Sequence, residues 1–438
     1  MVGIVSLCLL LSPLAQARNK ISAVTDADYP VRNEQKENLG KYLFFDKILS
    51  GNLNTSCATC HHPFAATGDG LSLPVGEGGQ GLGVMRDTGM GSDAIHERVP
   101  RNAPHVFNSG AHEFVNFFHD GRVQKNDASP TGFDTPAGDA FLLGVEHALA
   151  AQAAFPPTSA AEMAGQFGEN EVADAAAAGD FQEVWRLLTE RVMAIPEYQD
   201  LFSEAYPELV VPEDVTFAHI ANAIGAFEAA AYRADGSPYD RYLRGEKMAI
   251  STRAKLGMML FYGKAQCGSC HTGKFQTDHQ FHALGIPQIG PGKGDGLDGH
   301  DDFGRERVTG DSGDRYKFRT PTLRNVVITG PWGHDGAYNT LIGMVRHHLD
   351  PKNGLNNYDV TQAVLPSRPD LDAVDFEVYH DLGSRSDLAA AIEIEPVRLN
   401  NRQIELLIDF LQALTDPGSL DLRSTVPSRV PSGLPLRD

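Results

Sequence analysis

Apolar residues recur at helical rather than strand spacing along most of this chain. In LGKYLFFDKILSGNLNTSCATCH (Leu39–His61) and LGMMLFYGKAQCGSCH (Leu256–His271), Leu, Leu and Phe return on one face. That spacing predicts an amphipathic helix ahead of each Cys-x-x-Cys-His cluster. A further helix is predicted over TFAHIANAIGAFEAAAYR (Thr216–Arg233). In NRQIELLIDFLQAL (Asn401–Leu414) apolar residues fall at i, i+3, i+4 and i+7, a single stripe that faces a core. Period-two alternation is scarce, whereas Gly (44) and Pro (26) are plentiful. The expected fold is mainly α, with long loops and little strand.

The pattern also repeats. RNAPHVFN (Arg101–Asn108) echoes RTPTLRN (Arg319–Asn325), and each copy then reaches His-Asp-Gly, at His119–Gly121 and His334–Gly336. A length of 438 residues favours two domains, and the echo gives them shared descent. The polar stretch GSPYDRYLRGEK (Gly236–Lys247) places the boundary near Gly245, giving domains 18–245 and 246–438. Residues 1–17 contain the short apolar run VGIVSLCLLLSPLAQA, which ends in Ala-Gln-Ala before Arg18. This reads as a secretory signal, too short to span a bilayer, and no other run is long and apolar enough to span one. An exported, periplasmic protein is expected.

Charge narrows the partners. The formal net charge of −20 leaves no basic stripe to neutralise phosphates, which excludes nucleic acid. Such a field steers a basic partner protein, or serves solubility alone.

Of five cysteines, Cys8 lies in the leader and the other four lie in the two clusters. Three chemistries compete for Cys-x-x-Cys-His. A disulfide needs no adjacent histidine. Structural zinc favours paired ligand knuckles, for which a His directly after the second Cys is poorly placed. Covalent c-type haem uses all three residues, with two thiols on the vinyl groups and the imidazole on iron. Two copies after a secretory leader favour haem c. Cys57, Cys60 and His61 would hold one haem, in 18–245. Cys267, Cys270 and His271 would hold the other, in 246–438, with the final helix closing that pocket.

In this order the motifs CATCH, GDGL, RNAP, FHDGR, a Glu-Met after Phe-Pro, CGSCH, FRTPTLRN and GHDG resemble the bacterial dihaem cytochrome c peroxidase family, and more closely its MauG-like branch. The resemblance runs from about Asn33 to Leu414. It implies two cytochrome c-like haem domains, the first peroxidatic and the second for electron transfer. Many members carry a capping histidine after GDGLP. Here that loop reads LSLPVGEGGQG, with Glu77 at the place and no histidine between His62 and His96. The resemblance therefore implies an open sixth position on the first haem, with Glu77 expected as a solvated loop residue.

The segment AAQAAFPPTSAAEM (Ala150–Met163) matches the family's distal pocket, with Glu162 at the catalytic glutamate and Gln152 and Pro156 at the MauG-type positions. Peroxide must lose a proton from one oxygen and gain one on the other, a task that suits one carboxylate. For the sixth ligand of the second haem, the resemblance points fourteen residues past His334 to His348, with Met344 and His347 as further candidates. Methionine raises a haem potential and histidine does not. The family's relay tryptophan before Asp-Gly-Arg is replaced by His119, with Phe118 and Trp332 nearby in the pattern. Calcium is implied at Asn102, Thr329 and Pro331, whose oxygen donors suit a hard cation. His279 and His282 are expected to pack or to bond a propionate, and Gly292–Gly304 to form a flexible acidic surface loop.

The activity implied is reduction of hydrogen peroxide to water with electrons from a small cytochrome c or cupredoxin. The alternative is MauG-like oxidation of an aromatic residue of a partner protein through a high-valent iron state. A plain dihaem electron carrier is the third reading.

Overall fold

Two helix pairs built on the same plan organise the chain, for which a computed structural model describes residues 21–91 and 94–436. The leader and Cys8, on which the expectation of export rests, lie outside the described residues. Helix Glu34–Phe45 packs along Phe217–Ala231, and helix Thr252–Phe261 along Asn401–Gln412. Asn33 caps the first, accepting from the Lys36 amide at 3.0 Å, and Ser251 caps the third, accepting from Ala254 at 3.0 Å.

A glycine makes each crossing close. A side chain at Gly40 would overlap the Ala223 carbonyl, and one at Gly257 would overlap the Leu406 carbonyl. The β-carbons of Phe227 and Phe410 lie beside the two glycines in the same way. Glycine inside a helix costs about 1 kcal/mol relative to alanine, so close backbone approach is what these two positions gain.

The RNAP and FRTPTLRN echoes end in matching hinges. Asn108 and Asn325 both adopt left-handed backbone, at φ 62° and 61°, a conformation Asn tolerates better than most residues. The Asn108 amide donates to Tyr232 O at 3.0 Å, and the Asn325 amide to Leu414 O at 3.1 Å. Their side chains then accept from the next segment, Asn108 Oδ1 from the Ala234 amide at 2.7 Å and Asn325 Oδ1 from the Asp416 amide at 2.8 Å. Each asparagine thus pins the chain just after a closing helix.

Among the described residues, strand is confined to two small antiparallel sheets. Asn116–Phe117, Val123–Lys125 and Phe133–Asp134 form one, and Phe281–His282 with Phe318–Arg319 the other. The mainly helical expectation holds.

The larger core gathers Leu43, Phe44, Trp185, Phe202 and Phe227; a second gathers Tyr239, Phe261, Leu407 and Phe410. The halves interlock more than a boundary near Gly245 suggests. Tyr239, ahead of that boundary, already belongs to the second core, and beside it the Arg324–Asp240 ion pair (2.6 Å) is fully buried. Leu73 packs with Ile286 and Ile289, and Leu71 and Val75 share a cluster with Leu371. From Leu422 onward the chain returns to the first core, with Val430 buried there, Ser432 Oγ donating to Asp46 at 2.6 Å and Arg429 paired with Glu197 at 2.8 Å. No described helix is long and apolar enough to cross a membrane.

Candidate functional site

Each Cys-x-x-Cys-His forms a single turn that delivers its histidine the same way. The amide of His61 donates to Cys57 O at 2.9 Å, and that of His271 to Cys267 O at 2.9 Å. His61 Nδ1 then bonds Thr67 O at 3.2 Å, and His271 Nδ1 bonds Gln276 O at 3.1 Å. A carbonyl only accepts, so Nδ1 carries the hydrogen in both rings and Nε2 keeps its lone pair. Burial, then the neighbouring His348, pushes His271 down to about 4, which keeps the imidazole neutral and free to bind metal. Burial also pushes the Cys57 thiol up to about 12.

The second site surrounds a cavity of about 530 Å³ walled by Cys267, Cys270 and His271 on one side and Met344 and His348 on the other. The rings of His271 and His348 face each other with centroids 6.3 Å apart. That leaves room for one metal atom at the usual imidazole–metal length of about 2 Å on each side. His348 Nδ1 donates to Met344 O at 2.9 Å, which leaves Nε2 for the metal. His347 turns the other way, with Nε2 on Leu284 O at 2.9 Å and Nδ1 on the Tyr338 hydroxyl at 2.8 Å. Of the three candidate ligands, His348 is the one whose ring is aimed at His271, while Met344 lines the same wall.

Arg319 completes the fit to a haem. It lines the cavity, and its buried Nη1 has no hydrogen-bond partner. Burial without a carboxylate beside it lowers the guanidinium to about 10. A haem brings its own carboxylates, the charge this arginine lacks. The FRTPTLRN motif signalled this residue, but spacing alone assigned it nothing.

The first site differs. Among the described residues, no ring stands opposite His61 as His348 stands opposite His271. The segment expected to line this site folds as three consecutive turns: helix Ala148–Ala153 with Gln152, a 3₁₀ turn Pro156–Thr158, and a π turn Ala160–Ala164 carrying Glu162. Ser159 O accepts from the amides of Glu162, Met163 and Ala164, at 3.2, 3.0 and 2.9 Å. Single π turns occur mostly at functional sites. This one is held from both sides, by the Gly51 amide donating to Met163 O at 2.7 Å and the Glu77 amide donating to Ala161 O at 3.2 Å. A side chain at Gly76 would press on the Glu162 backbone. Glu162 is close enough to Cys60 to help raise that thiol, after burial and Asp69.

Two loop expectations are corrected. Glu77 is not solvated: it is 8% exposed and accepts from Asn52 at 2.8 Å and Asn54 at 2.6 Å. Local sequence places these asparagines far from the loop, and the turn before Cys57 brings them in. Nor is Gly292–Gly304 a free acidic loop. Asp301 and Asp302 are buried, and Asp302 grips Arg101 through two bonds of 2.7 and 2.8 Å. Opposite charge from another segment draws the loop inward. His279 and His282 pair with carboxylates, Glu113 at 3.1 Å and Asp278 at 3.0 Å.

Between the sites, Asn102, Thr329 and Pro331 border the cavity together. Asn102 Nδ2 donates to Leu71 O at 2.8 Å, which turns its Oδ1 away from that bond. His119 Nε2 donates to Asn102 O at 3.0 Å, and His334 stacks on Phe318 with centroids 3.6 Å apart.

The family described as di-haem cytochrome c peroxidase matches residues 34–248. The cytochrome c551 peroxidase of Pseudomonas aeruginosa is 30% identical over 307 residues, covering 70% of this chain and 69% of that protein. Methylamine utilization protein MauG of Methylorubrum extorquens is 28% identical over 392 residues, covering 89% and 80%. Among solved structures, a MauG-like protein associated with microbial copper homeostasis superposes with a TM-score of 0.58 at 27% identity, covering 91% of this chain and 94% of that one. The chain belongs to the di-haem cytochrome c peroxidase family. It is an oxidoreductase of a family that implies two c-type haems.

Proposed function

We propose that this protein reduces hydrogen peroxide to water, drawing electrons from a small cytochrome c or cupredoxin in the periplasm. One contrast supports the reading above all: His271 is faced by a second imidazole, whereas no described ring stands opposite His61, and Glu162 lies near Cys60 of the first cluster. Haem held by Cys57, Cys60 and His61 would supply a redox-active iron with a place for peroxide. Haem held by Cys267, Cys270, His271 and His348 would store and pass electrons.

The chain's own groups do the rest. Glu162 takes a proton from one peroxide oxygen and returns it to the other, so that water departs. Gln152 orients the oxidant by hydrogen bonding, and Pro156 narrows the distal wall. Asn102 Oδ1 with the Thr329 and Pro331 carbonyls would hold calcium, a hard cation suited to oxygen donors.

Steady-state consumption of peroxide by the holoprotein with reduced cytochrome c tests this reading. Rapid turnover is expected. A second reading, oxidation of an aromatic side chain on a partner protein, draws support from the likeness to MauG and from the imidazole at 348 where a thioether would be vulnerable to oxidation. Negligible turnover with the small donor, together with oxidation of a partner protein, would favour it.

A further inference from the structure

Tyr338 and His347 form a hydrogen-bonded pair that none of the roles above uses. Tyr338 is 4% exposed and His347 1% exposed. The direction of their 2.8 Å bond is fixed by the other side of the ring. His347 Nε2 bonds the Leu284 carbonyl at 2.9 Å, and a carbonyl only accepts. Nε2 therefore carries the hydrogen, Nδ1 is the acceptor, and the Tyr338 hydroxyl donates to it. Space for this bond is reserved, because a β-carbon at Gly354 would come within 2.5 Å of His347 Nδ1.

A phenol is hard to oxidise unless its proton has somewhere to go, and here the Nδ1 lone pair of His347 already accepts its hydrogen bond. The acceptor is also the chain neighbour of His348, its ring centroid 6.4 Å away. Two more tyrosines continue outward. Tyr358 lies 5.4 Å from Tyr338, Tyr379 lies 5.4 Å from Tyr358, and exposed His380 lies 5.4 Å from Tyr379. Their hydroxyls donate to the carbonyls of Ala337 (2.5 Å) and Tyr358 (3.0 Å), which cannot take a proton.

We infer that Tyr338 is a one-electron redox site of this enzyme, oxidised through the second haem site while its hydroxyl proton moves to His347 Nδ1. Its electron goes to that site after hydrogen peroxide has oxidised the protein. The products are a neutral tyrosyl radical and an imidazolium, so charge and atoms balance. The oxidising equivalent rests at Tyr338, since Tyr358 and Tyr379 have no base, and those two rings line the path by which an external electron returns. The inference rests on the peroxidase reading for its oxidant.

The test is freeze-quenched electron paramagnetic resonance on the dihaem holoprotein, oxidised either by hydrogen peroxide or by an outer-sphere one-electron oxidant such as hexachloroiridate. A tyrosyl signal that narrows in protein made with ring-deuterated tyrosine, vanishes in Tyr338→Phe and persists in Tyr358→Phe is expected with both oxidants. The signal with hexachloroiridate alone would support Tyr338 and overturn peroxide as the oxidant. Tyr316 is the rival, lining the cavity and donating to Asp301 at 2.8 Å. A signal that survives in Tyr338→Phe but disappears in Tyr316→Phe would overturn the assignment, as would no tyrosyl signal with either oxidant. Optical spectra of each variant report both haems, separating a lost radical from lost cofactor.

Discussion

His348 faces His271 across 6.3 Å, and each ring spends its Nδ1 on a backbone carbonyl so that both Nε2 atoms remain for one metal. The pairing predicts a low-spin haem of low potential at the second site. His348→Met should raise that potential, because thioether ligation favours the reduced iron. Spectroelectrochemistry would show the shift at one haem and not the other; an unmoved potential would remove His348 from the ligand set.

Glu162 is expected to matter for turnover and not for haem loading. Glu162→Gln keeps the shape of the π turn but cannot carry a proton. Peroxide turnover should fall by about 10²–10⁴, the usual contribution of a positioned acid–base group. Haem content and thermal midpoint should stay at wild-type values, and stopped-flow mixing with peroxide is the direct measurement.

Acid should weaken the protein through Asp302. Burial alone would raise its carboxyl, but Arg101 outweighs burial and holds it at about 2. In the unfolded chain it titrates near 4. A depressed native value means stability that is present above about pH 4 and is lost as pH falls through about 2. The window corresponds to roughly 2 kcal/mol from this one buried group. Chemical unfolding between pH 5 and pH 2 should show the loss, and Asp302→Asn should flatten it. The same variant should also lower stability at neutral pH, by less than the about 3–5 kcal/mol of a fully broken buried pair, because Asp120 still pairs with Arg101 at 2.6 Å.

Gly40→Ala and Gly257→Ala should each destabilise the fold, despite alanine's better helix propensity. The added methyl has a carbonyl in its way, and overpacking of this kind costs about 1–3 kcal/mol. Denaturant midpoints measure the effect. A midpoint that rises in either variant would show that the helices can separate without cost.

Much of this architecture was legible in the chain because it repeats. Leu39–His61 and Leu256–His271 announced the two helices ahead of the cysteine clusters, and the paired Arg–Asn motifs announced a repeat, though not the hinges at Asn108 and Asn325. What local pattern could not supply was pairing across distance. Glu77 reads as a loop glutamate until Asn52 and Asn54 meet it. Gly292–Gly304 reads as an acidic surface loop until Arg101 draws Asp302 in. Tyr338 reads as one more core aromatic until the tautomer of His347 is known. The same limit applies to the boundary near Gly245, since a polar linker signals a break in the pattern but says nothing of which core Tyr239 joins.

The return of residues 422–436 to the first core has a consequence for biosynthesis. Chains emerge amino end first and their domains tend to fold in that order, yet Asp46 finds Ser432, and Glu197 finds Arg429, only after the second half has been made. The early half therefore waits, partly unlatched, while later sequence arrives. A nascent chain halted before Leu422 should be more open to protease than the finished protein, and, on the proposal that Cys57 and Cys60 hold a haem, that delay would keep both thiols within reach of whatever attaches it.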